Sequence, residues 1–546
     1  MPRPHRRMIA LPSAQELIQG ESPIRLRKKK DRFLFMTYNL LAQALVRRDM
    51  FPHASQKALR WKFRRQNLLQ EFLEFGPDLA CLQEVDFWDE FYLPALTKSG
   101  YESVFYKNQN KKHGCAIVWR KSRFEKVDQA TIEYDDVGQP TFLTGNIGLM
   151  VGLRPVQHSA ENPDPNADML LPDEDEEKEG QKDVTASVNA FCPQREVAGT
   201  PGGILVATTH LFWRPDGSYE RLRQASIFLK KIKEWNEDLK YTVLLGGDFN
   251  TTPRDAAYRA MTRNEMPPQQ IPDLQTWLTN EVAREEEAAA AKTTSKGTDG
   301  ELKVNSDEID QLTAKAENLD LEGSGNDPSS KNDTKIEKET SDLPYRAPHR
   351  GILLPKQKGA TASVVTDQSS STIANAADFA SSQDPKIKKL AEKDATSAAN
   401  NESGEDARVI APIEAFTPPQ ELKAAIEASP RCISIYGQYE ILIKDNPAQV
   451  SAGAAAKTDT GNTTATKAHT HHTHGEPIFT NFATWFKDTL DYVYLLDEPL
   501  PENGARLVPL KFLEVPDQSF LGHGLPDENF SSDHFCLMVE FALLCK

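Results

Sequence analysis

Cysteine is scarce in this chain of 546 residues: six are present, far apart, and no two form a Cys-x-x-Cys pair. A reduced intracellular protein fits this spacing best. Long hydrophobic runs are also missing. No stretch of about 18 apolar residues occurs, so the sequence predicts no membrane span, and the basic N-terminus has no secretory signal. We expect a cytoplasmic location, with the nucleus as the alternative and mitochondria less favoured.

Excess negative charge is confined to two segments. Residues 161–183 contain ten acids and two lysines, and residues 281–410 contain 25 acids and 17 bases. Together they account for the formal net charge of −16, so the rest of the chain is close to neutral. The acidic composition therefore does not exclude a polyanionic substrate.

Composition also divides the chain. Residues 1–30 are expected to form a basic, disordered tail. Residues 31–546 are expected to form a single α/β domain, because strand-like apolar runs alternate with helical patterns. Polar segments at about 156–200, 281–410 and 447–474 interrupt this domain; they are too poor in apolar residues to offset their ordering entropy, so we expect disordered insertions.

Polar side chains follow or precede the apolar runs. The stretch "TVLLGGDFN" ends in Asp248 and Asn250, which project to the same face of a strand. Similar positions at other strand ends are held by Asn39, Glu84, His210, Asp491, Asp533 and His534. If the strands lie side by side in one or two sheets, these groups meet at one edge.

This set of acids, amides and imidazoles lacks a nucleophilic Ser or Cys with a partner, and it suits metal-assisted attack by water on a phosphoester. Glu84 is the first choice of ligand for Mg²⁺, which prefers oxygen donors. Asp248 is the candidate base, and Asn250 can hold the water or a phosphate oxygen. His534 can donate to the developing charge if Asp491 fixes its tautomer.

Each motif taken alone has a simpler interpretation. A glutamate after a strand is usually solvated, and His210 can be a satisfied histidine at a strand end. The "SDH" before the last strand and the "GGDFN" of Asp248 can both be turns. The joint pattern favours the catalytic interpretation.

Six motifs occur in the order typical of one superfamily: "TYNLLAQ", "CLQEVD", "TTHLFW", "GGDFNTTP", "TLDYVY" and "LPDENFSSDHFCL". They resemble the endonuclease/exonuclease/phosphatase (DNase I-like) superfamily, and within it the deadenylase branch with the fungal Ngl RNA exonucleases, Angel proteins and nocturnin. The resemblance covers about 31–155, 203–280 and 411–546. It implies a four-layer α/β sandwich of two stacked mixed sheets flanked by helices.

The resemblance also implies roles for single residues. Glu84 is the metal ligand for Mg²⁺, with Mn²⁺ as a substitute; Asn39 orders the metal site and Asp533 lies beside it. The remaining roles follow the same motifs: Asp248 and Asn250 position the water and the scissile phosphate, His210 contacts phosphate, Asp491 orients His534, and Asn146 lies near the site. The chain departs from the pattern at His113, where many relatives have an acid before the glycine.

Substrate contacts are expected from loops near the site. Lys112, with Lys107 and Lys111, lies in a loop suited to phosphate contact. Trp213 and Phe212 follow His210 and can stack a base, although Trp213 fits the core equally well. Two further sets have simpler interpretations: the cations Arg60, Lys62, Arg64 and Arg65 as the solvated face of a helix, and the histidines His469, His471, His472 and His474 as the tip of a loop.

Three functions remain open. The first is a 3′→5′ exoribonuclease that acts as a monomer on the single-stranded 3′ end of poly(A) or of structural or ribosomal RNA, releasing 5′-mononucleotides. The second is a phosphatase or phosphodiesterase for a small nucleotide such as a dinucleotide cofactor. The third, a non-catalytic RNA-binding protein on the same fold, is disfavoured because every catalytic residue is present.

Overall fold

Two mixed sheets form the centre of the molecule in this computed structural model, which describes residues 6–11, 32–156, 202–296, 363–365, 407–439, 475–484, 486–518 and 521–544. The first sheet has seven strands in the order β1-β17-β18-β2-β3-β5-β4. Their bounds are β1 Met8–Ala10, β2 Arg32–Asn39, β3 Leu79–Val85, β4 Tyr101–Tyr106, β5 Gly114–Arg120, β17 Arg506–Leu513 and β18 Leu537–Leu544. Only β2 and β3 pair in parallel within this sheet.

The second sheet has six strands in the order β13-β16-β10-β9-β8-β6. Its strands are β6 Phe124–Glu133, β8 Ile147–Pro155, β9 Ile204–Thr209, β10 Thr242–Asp248, β13 Arg431–Ser434 and β16 Asp491–Asp497. Here β9 and β10 pair in parallel. Smaller sheets join β7 Phe142–Leu143, β11 Ser363–Val365 and β12 Ala407–Ile410, and β14 Asn481–Phe482 with β15 Lys487–Asp488.

The helices are α1 Trp61–Phe75, α2 Leu93–Lys98, α3 Ser218–Leu239, α4 Ala256–Thr262, α5 Gln270–Lys296 and α6 Pro419–Glu427. The helix α1 ends at Gly76, whose φ of 55° is the left-handed conformation that glycine adopts without strain. The chain divides into two units, Met1–Thr279 with Ala362–Lys546, and Asn280–Thr361, and of the second unit the structure describes residues 280–296. Among the described residues, no helix has the length and apolar character needed to cross a membrane.

The strands are apolar on both faces because each face is covered. In β2, Phe33 and Phe35 point into the core between the two sheets, while Leu34 and Met36 point into a second core. The second core includes Leu68 and other residues of α1 and α2. On the outer face of the second sheet, α3 packs its Phe228 against Phe249, with ring centroids 6.3 Å apart. The predicted four-layer α/β sandwich is therefore confirmed.

The paired glycines of β10 allow the two sheets to approach closely. A Cβ on Gly246 would lie 2.7 Å from the ring of Phe35 in the facing sheet, and one on Gly247 would lie 2.5 Å from the backbone oxygen of Thr209. Neither contact is sterically allowed. The "GG" before Asp248 thus lets β10 pack against β2 and β9 at the edge where its polar end lies.

Two sequence-based boundaries need correction. The N-terminal tail predicted for residues 1–30 contains β1, which pairs with β17, and the buried Arg6; residues 12–30 lie outside the described part of the chain. The insertion predicted at 281–410 begins inside α5, which continues to Lys296, and it includes β11 and β12. The start of this segment is rich in Ala and Glu, which have high helix propensity, and it is therefore helical although it is poor in large apolar residues. The segments 161–183 and 447–474, with the histidine tract, lie outside the described residues.

The buried Arg6 shows why β1 belongs to the fold. Its guanidinium donates to the Cys536 backbone oxygen at 2.7 Å, to Cys536 Sγ at 3.0 Å and to the Glu514 backbone oxygen at 2.6 Å. Its positive charge also lies 5.8 Å from the ring centroid of Phe535. These contacts fasten the N-terminal strand to the segment that carries His534.

We predict that Arg6→Met lowers the free energy of unfolding by about 2 kcal/mol or more, because it removes the hydrogen bonds that the buried guanidinium donates to Cys536 and Glu514. The matched control is Arg7→Met. Arg7 forms a partly exposed ion pair with Glu514 at 3.2 Å, which is worth less than about 1 kcal/mol. Urea unfolding followed by tryptophan fluorescence measures both. Equal effects of the two changes would contradict a structural role for Arg6.

Candidate active site

Strand register brings the predicted polar groups to one edge. In the second sheet Asp248, at the end of β10, pairs with Asp491, at the start of the antiparallel β16, and His210 pairs with Asp248 from the parallel side. In the first sheet Asn39 pairs with Gln83, the residue before Glu84. Gln83 itself is buried and donates across the sheets to Thr208 Oγ1 at 3.0 Å. Both sheets therefore end at the same place.

Asn39 joins the two principal carboxylates. Its Nδ2 donates to Glu84 Oε1 at 3.1 Å and to Asp248 Oδ2 at 2.9 Å, while its Oδ1 accepts from the Leu41 backbone N–H. Ionised carboxylates only accept, so the amide nitrogen must face them. The other oxygen of Glu84 accepts from the Ala42 N–H at 3.0 Å. Fragments from both sheets thus share one buried polar cluster.

Backbone strain is concentrated around this cluster. Glu84, Asn250 and Leu41 have φ values of 52°, 46° and 53°, in the left-handed region that side-chain-bearing residues seldom adopt. Asn tolerates this region well, but for Glu and Leu it costs on the order of 1 kcal/mol each. Such strain is typical of residues whose position is fixed by function.

His534 is oriented by a hydrogen-bonded acid. Its Nδ1 donates to Asp491 Oδ2 at 2.8 Å, and the same oxygen accepts from Thr480 Oγ1 at 2.6 Å. The opposite nitrogen, Nε2, lies 3.7 Å from Asp248 Oδ2 and 4.0 Å from Asp533 Oδ1. Asp491 therefore holds the ring so that Nε2 faces the cluster, as the sequence predicts.

Burial and mutual charge perturb these groups. Burial alone would lower the pKa of His534, but the charges of Asp491, Asp248 and Asp533 outweigh it and hold this pKa well above its ordinary value. Burial and the neighbouring Asp491 raise the pKa of Asp248. Burial would raise the pKa of Glu84, but the neighbouring histidines, His210 foremost, and the hydrogen bond from Asn39 together lower it. The site therefore holds a protonated imidazole beside a comparatively basic carboxylate.

His210 and two asparagines form the adjoining wall. The ring Nε2 of His210 lies 3.8 Å from Glu84 Oε1 and 3.6 Å from Asp248 Oδ2. Its backbone oxygen accepts from Asn146 Nδ2 at 2.6 Å, and the oxygen of Leu211 accepts from Asn250 Nδ2 at 2.9 Å. Both asparagines therefore fix the backbone of the His210 loop, in addition to any contact with substrate.

Of the residues predicted to contact substrate, some are exposed and others are buried. Lys112 is exposed, whereas Lys111 packs against Gly145, the neighbour of Asn146. Trp213 is 45% exposed, so it does not belong to the core. Phe212 is fully buried against Phe142, at 4.9 Å between centroids, and cannot stack a base.

His113 lies beside the site, with its ring centroid 6.3 Å from that of His210. Burial lowers the pKa of His113 to about 3, so the ring is neutral at physiological pH. The departure noted in the sequence therefore adds an uncharged imidazole next to His210, where an acid would add further negative charge.

Three supporting residues escaped the sequence analysis. Arg64, predicted to be solvated, is fully buried and donates to the oxygens of Leu40, Leu41 and Ser531. Ser532 Oγ donates to the Asn39 oxygen at 2.7 Å and accepts from the His534 N–H, and Thr480 supports Asp491. The buried side of α1, with Arg64 and Leu68 one turn apart, was the available signal for Arg64.

The cluster suits a hard divalent cation. Oδ1 of Asp533 and Oδ1 of Asp491 are buried without a hydrogen-bond partner among the described residues, and burial raises the pKa of Asp533 to about 6. A cation would offset this crowding of acids. Ligand atoms of Asp248, Asp491 and His534 also lie within 4.8 Å of one another. Asp491 and His534 already bond each other, so Glu84, Asp248 and Asp533 are the better oxygen donors.

Part of the chain is similar in sequence to a known protein family. The model of the Endonuclease/Exonuclease/phosphatase family matches residues 36–284, which include Asn39, Glu84, His210, Asp248 and Asn250. The match covers somewhat less than half of the chain. The predicted resemblance to this superfamily is confirmed by it.

Curated relatives resemble part of the chain. One is "RNA exonuclease NGL2" of Saccharomyces cerevisiae, 37% identical over 249 residues, which are 42% of this chain and 42% of that protein. Another is "Probable RNA exonuclease C9B6.11c" of Schizosaccharomyces pombe, 36% identical over 250 residues, covering 45% and 41%. The match thus spans less than half the length of these relatives. A solved structure of ANGEL2, described as a 2′,3′-cyclic phosphatase, aligns at 16% identity and a TM-score of 0.44, covering 94% of this chain and 96% of that one.

We predict that Asp491→Asn lowers kcat roughly 10²- to 10⁴-fold, because an amide neither fixes the tautomer of His534 nor stabilises its charge. Because the pKa of His534 is raised, its imidazolium remains a donor until the pH rises through that raised pKa. Loss of Asp491 should therefore move the basic limb of the kcat profile to lower pH. Asp497→Asn, at the exposed far end of the same strand, is the control. An unchanged pH profile in Asp491→Asn would contradict this assignment.

Proposed function

We propose that the protein is a Mg²⁺-dependent 3′→5′ exoribonuclease that releases 5′-mononucleotides from single-stranded RNA. The observation that carries the proposal is the bridge from Asn39 to Glu84 and Asp248, with His534 Nε2 3.7 Å from the same Asp248 oxygen. An acceptor for a water proton and a cationic donor thus lie side by side, where both can reach one phosphoryl group. The names of the curated relatives support RNA as the substrate.

The reaction follows from the protonation states. Asp248, with its raised pKa, accepts a proton from water as the water oxygen bonds to phosphorus. The bond to the 3′ oxygen of the preceding nucleotide breaks, and that oxygen takes a proton from solvent water as it leaves. His534, held as an imidazolium by Asp491, donates to the phosphoryl oxygens as their charge develops.

A divalent ion would be held by Glu84 and Asp533, with Asn39 ordering Glu84. When bound, Mg²⁺ neutralises phosphate charge, and Mn²⁺ offers the same oxygen-ligand chemistry. His210, next to Glu84 and Asp248, is placed to contact the phosphate. Asn250 and Asn146 hold the backbone on which His210 lies, so they position it for that contact.

The substrate beyond the phosphate is expected to meet Trp213, which follows His210 by three residues and is exposed, and the lysine loop of Lys112. A base stacked on Trp213 would gain on the order of 1–3 kcal/mol without sequence preference. This suits poly(A) and the 3′ ends of structural or ribosomal RNA alike.

A substrate panel tests the proposal. RNA labelled at its 5′ end should shorten by single nucleotides in Mg²⁺, with 5′-mononucleotides as products, and EDTA should stop the reaction. Glu84→Gln should lower the rate by roughly 10²-fold or more. Glu102→Gln, an exposed glutamate of β4, should behave like the wild type.

The same panel includes DNA and dinucleotide cofactors. Inert RNA together with phosphate release from a dinucleotide would overturn the proposal in favour of a small-nucleotide phosphatase. RNA binding without any hydrolysis would indicate a non-catalytic protein.

A further inference from the structure

Two stacked aromatic rings lie close to the Glu84 end of β3, outside the cluster described above. Phe87 and Trp61 have centroids 4.7 Å apart and planes 22° apart. Trp61 begins α1 and is half-buried against the core of the first sheet. Phe87 is 42% exposed. Because Trp61 covers one face of the Phe87 ring, this exposure belongs to the opposite face and the edges.

The backbone at Phe87 is unusual for an exposed aromatic residue. Its φ of 48° is left-handed, which costs a bulky residue on the order of 1 kcal/mol. Glycine or asparagine would occupy this position with less strain. The presence of a large, solvent-exposed ring where strain disfavours it indicates that the ring itself is used.

The ring is close to the catalytic cluster and firmly held. Phe87 follows Glu84 by three residues, so their Cα atoms are at most about 11 Å apart. Between them, Asp86 Oδ2 accepts from the Ala44 N–H at 3.1 Å, which ties this segment to the loop after β2. Trp61 is also flanked by Phe91, at 5.6 Å between centroids. A strand of nucleic acid with its scissile phosphate at Glu84 would therefore need about three base steps of roughly 3.4 Å to reach Phe87.

Several cations lie close to Trp61 in the chain. Arg60 and Lys62 are exposed on either side of Trp61, and Arg65 lies one helical turn further along, 5.2 Å above the ring of Phe91. Lys57 is exposed just before α1. Two exposed acids, Asp89 and Glu90, lie in the helical turn after Phe87 and offset part of the charge of these four cationic side chains. The local charge is positive, which complements a phosphate backbone.

We propose that Phe87 and Trp61, with the surrounding Lys57, Arg60, Lys62 and Arg65, form a base-stacking platform for single-stranded RNA. The platform binds a base of the strand on the 5′ side of the scissile phosphate, while the cations contact the backbone. This inference rests on the proposed function, because only a polynucleotide is long enough to meet both the cluster and the platform. It assigns the basic face of α1 to substrate binding rather than to solvation alone.

Kinetics on substrates of different length test the platform. Phe87→Ala should raise KM for an RNA of about 12 nucleotides roughly tenfold, since stacking of one base is worth about 1–3 kcal/mol. It should leave kcat, and the hydrolysis of a dinucleoside monophosphate, unchanged because that substrate is too short to reach the ring. Phe87→Tyr should restore KM. Leu500→Ala, an exposed residue between β16 and β17, is the control.

A direct readout of stacking accompanies the kinetics. RNA carrying 2-aminopurine at successive positions is mixed with full-length protein bearing Asp248→Asn, which prevents cleavage. Fluorescence should be quenched most strongly at one internal position, and Phe87→Ala should remove that quenching. If Phe87→Ala fails to fold, the same measurements are made on Phe87→Leu. This variant keeps the apolar volume but lacks the ring, so it should also lose the quenching.

The outcomes separate the two proposals. Unchanged KM and unchanged quenching in Phe87→Ala, in an enzyme that digests long RNA, would overturn the platform and leave the proposed function intact. An equal loss of activity on the dinucleoside substrate would show that Phe87 supports the Glu84 strand instead, and would also overturn it. Wild-type protein that neither binds nor digests RNA would overturn both.

Discussion

The hydrogen bonds from one amide to two carboxylates constrain the rest of this structure. Asn39 Nδ2 contacts Glu84 and Asp248, which come from different sheets, at 3.1 and 2.9 Å. Buried carboxylates repel each other and lose hydration, so they stay together only where donors or cations compensate. The two sheets must therefore meet with their polar strand ends in one fixed arrangement. The glycines of β10, the Gln83 to Thr208 contact and the strained backbone of Glu84 all serve that arrangement.

The buried guanidinium of Arg64 stabilises the loops at this edge of the two sheets. Arg64 gives its N–H groups to the oxygens of Leu40, Leu41 and Ser531, and burial lowers its pKa without removing its charge. A guanidinium in this position is costly unless its donors are satisfied. Here the carbonyls it satisfies belong to the two loops that follow Asn39 and precede Asp533. The helix α1 thus contributes packing to the first sheet and also fixes the spacing of catalytic loops that are hundreds of residues apart in sequence.

The sequence predicted strand ends better than it predicted loops. Asn39, Glu84, His210 and Asp248 were noticed because each follows an apolar run, and Asp491 and His534 because each precedes one. A strand fixes where both of its ends lie. Lys112 and Phe212 lie in loops, where the same adjacency says little about direction; Phe212 points into the core and Lys112 into solvent. Thr480 and Ser532 support other residues of the site, and no local pattern marks such contacts. For Arg64 the local sign was its position one helical turn from the buried Leu68. The strand β1 was missed because three residues at a sheet edge carry no usable periodicity.

The electrostatics of the cluster bear on substrate binding as well as on chemistry. Glu84, Asp248, Asp491 and Asp533 bring up to four negative charges to a small volume, against the imidazolium of His534. A phosphodiester approaching this set would be repelled unless a divalent cation offset the excess. The metal would then be needed before the reaction starts, to admit the scissile phosphate. Contacts outside the cluster, on neutral rings and basic side chains, must hold the remainder of a polyanion, since the cluster itself offers it little attraction. Affinity and catalysis are thus assigned to different parts of the surface, and removing the cation should weaken binding even where the distant contacts are intact.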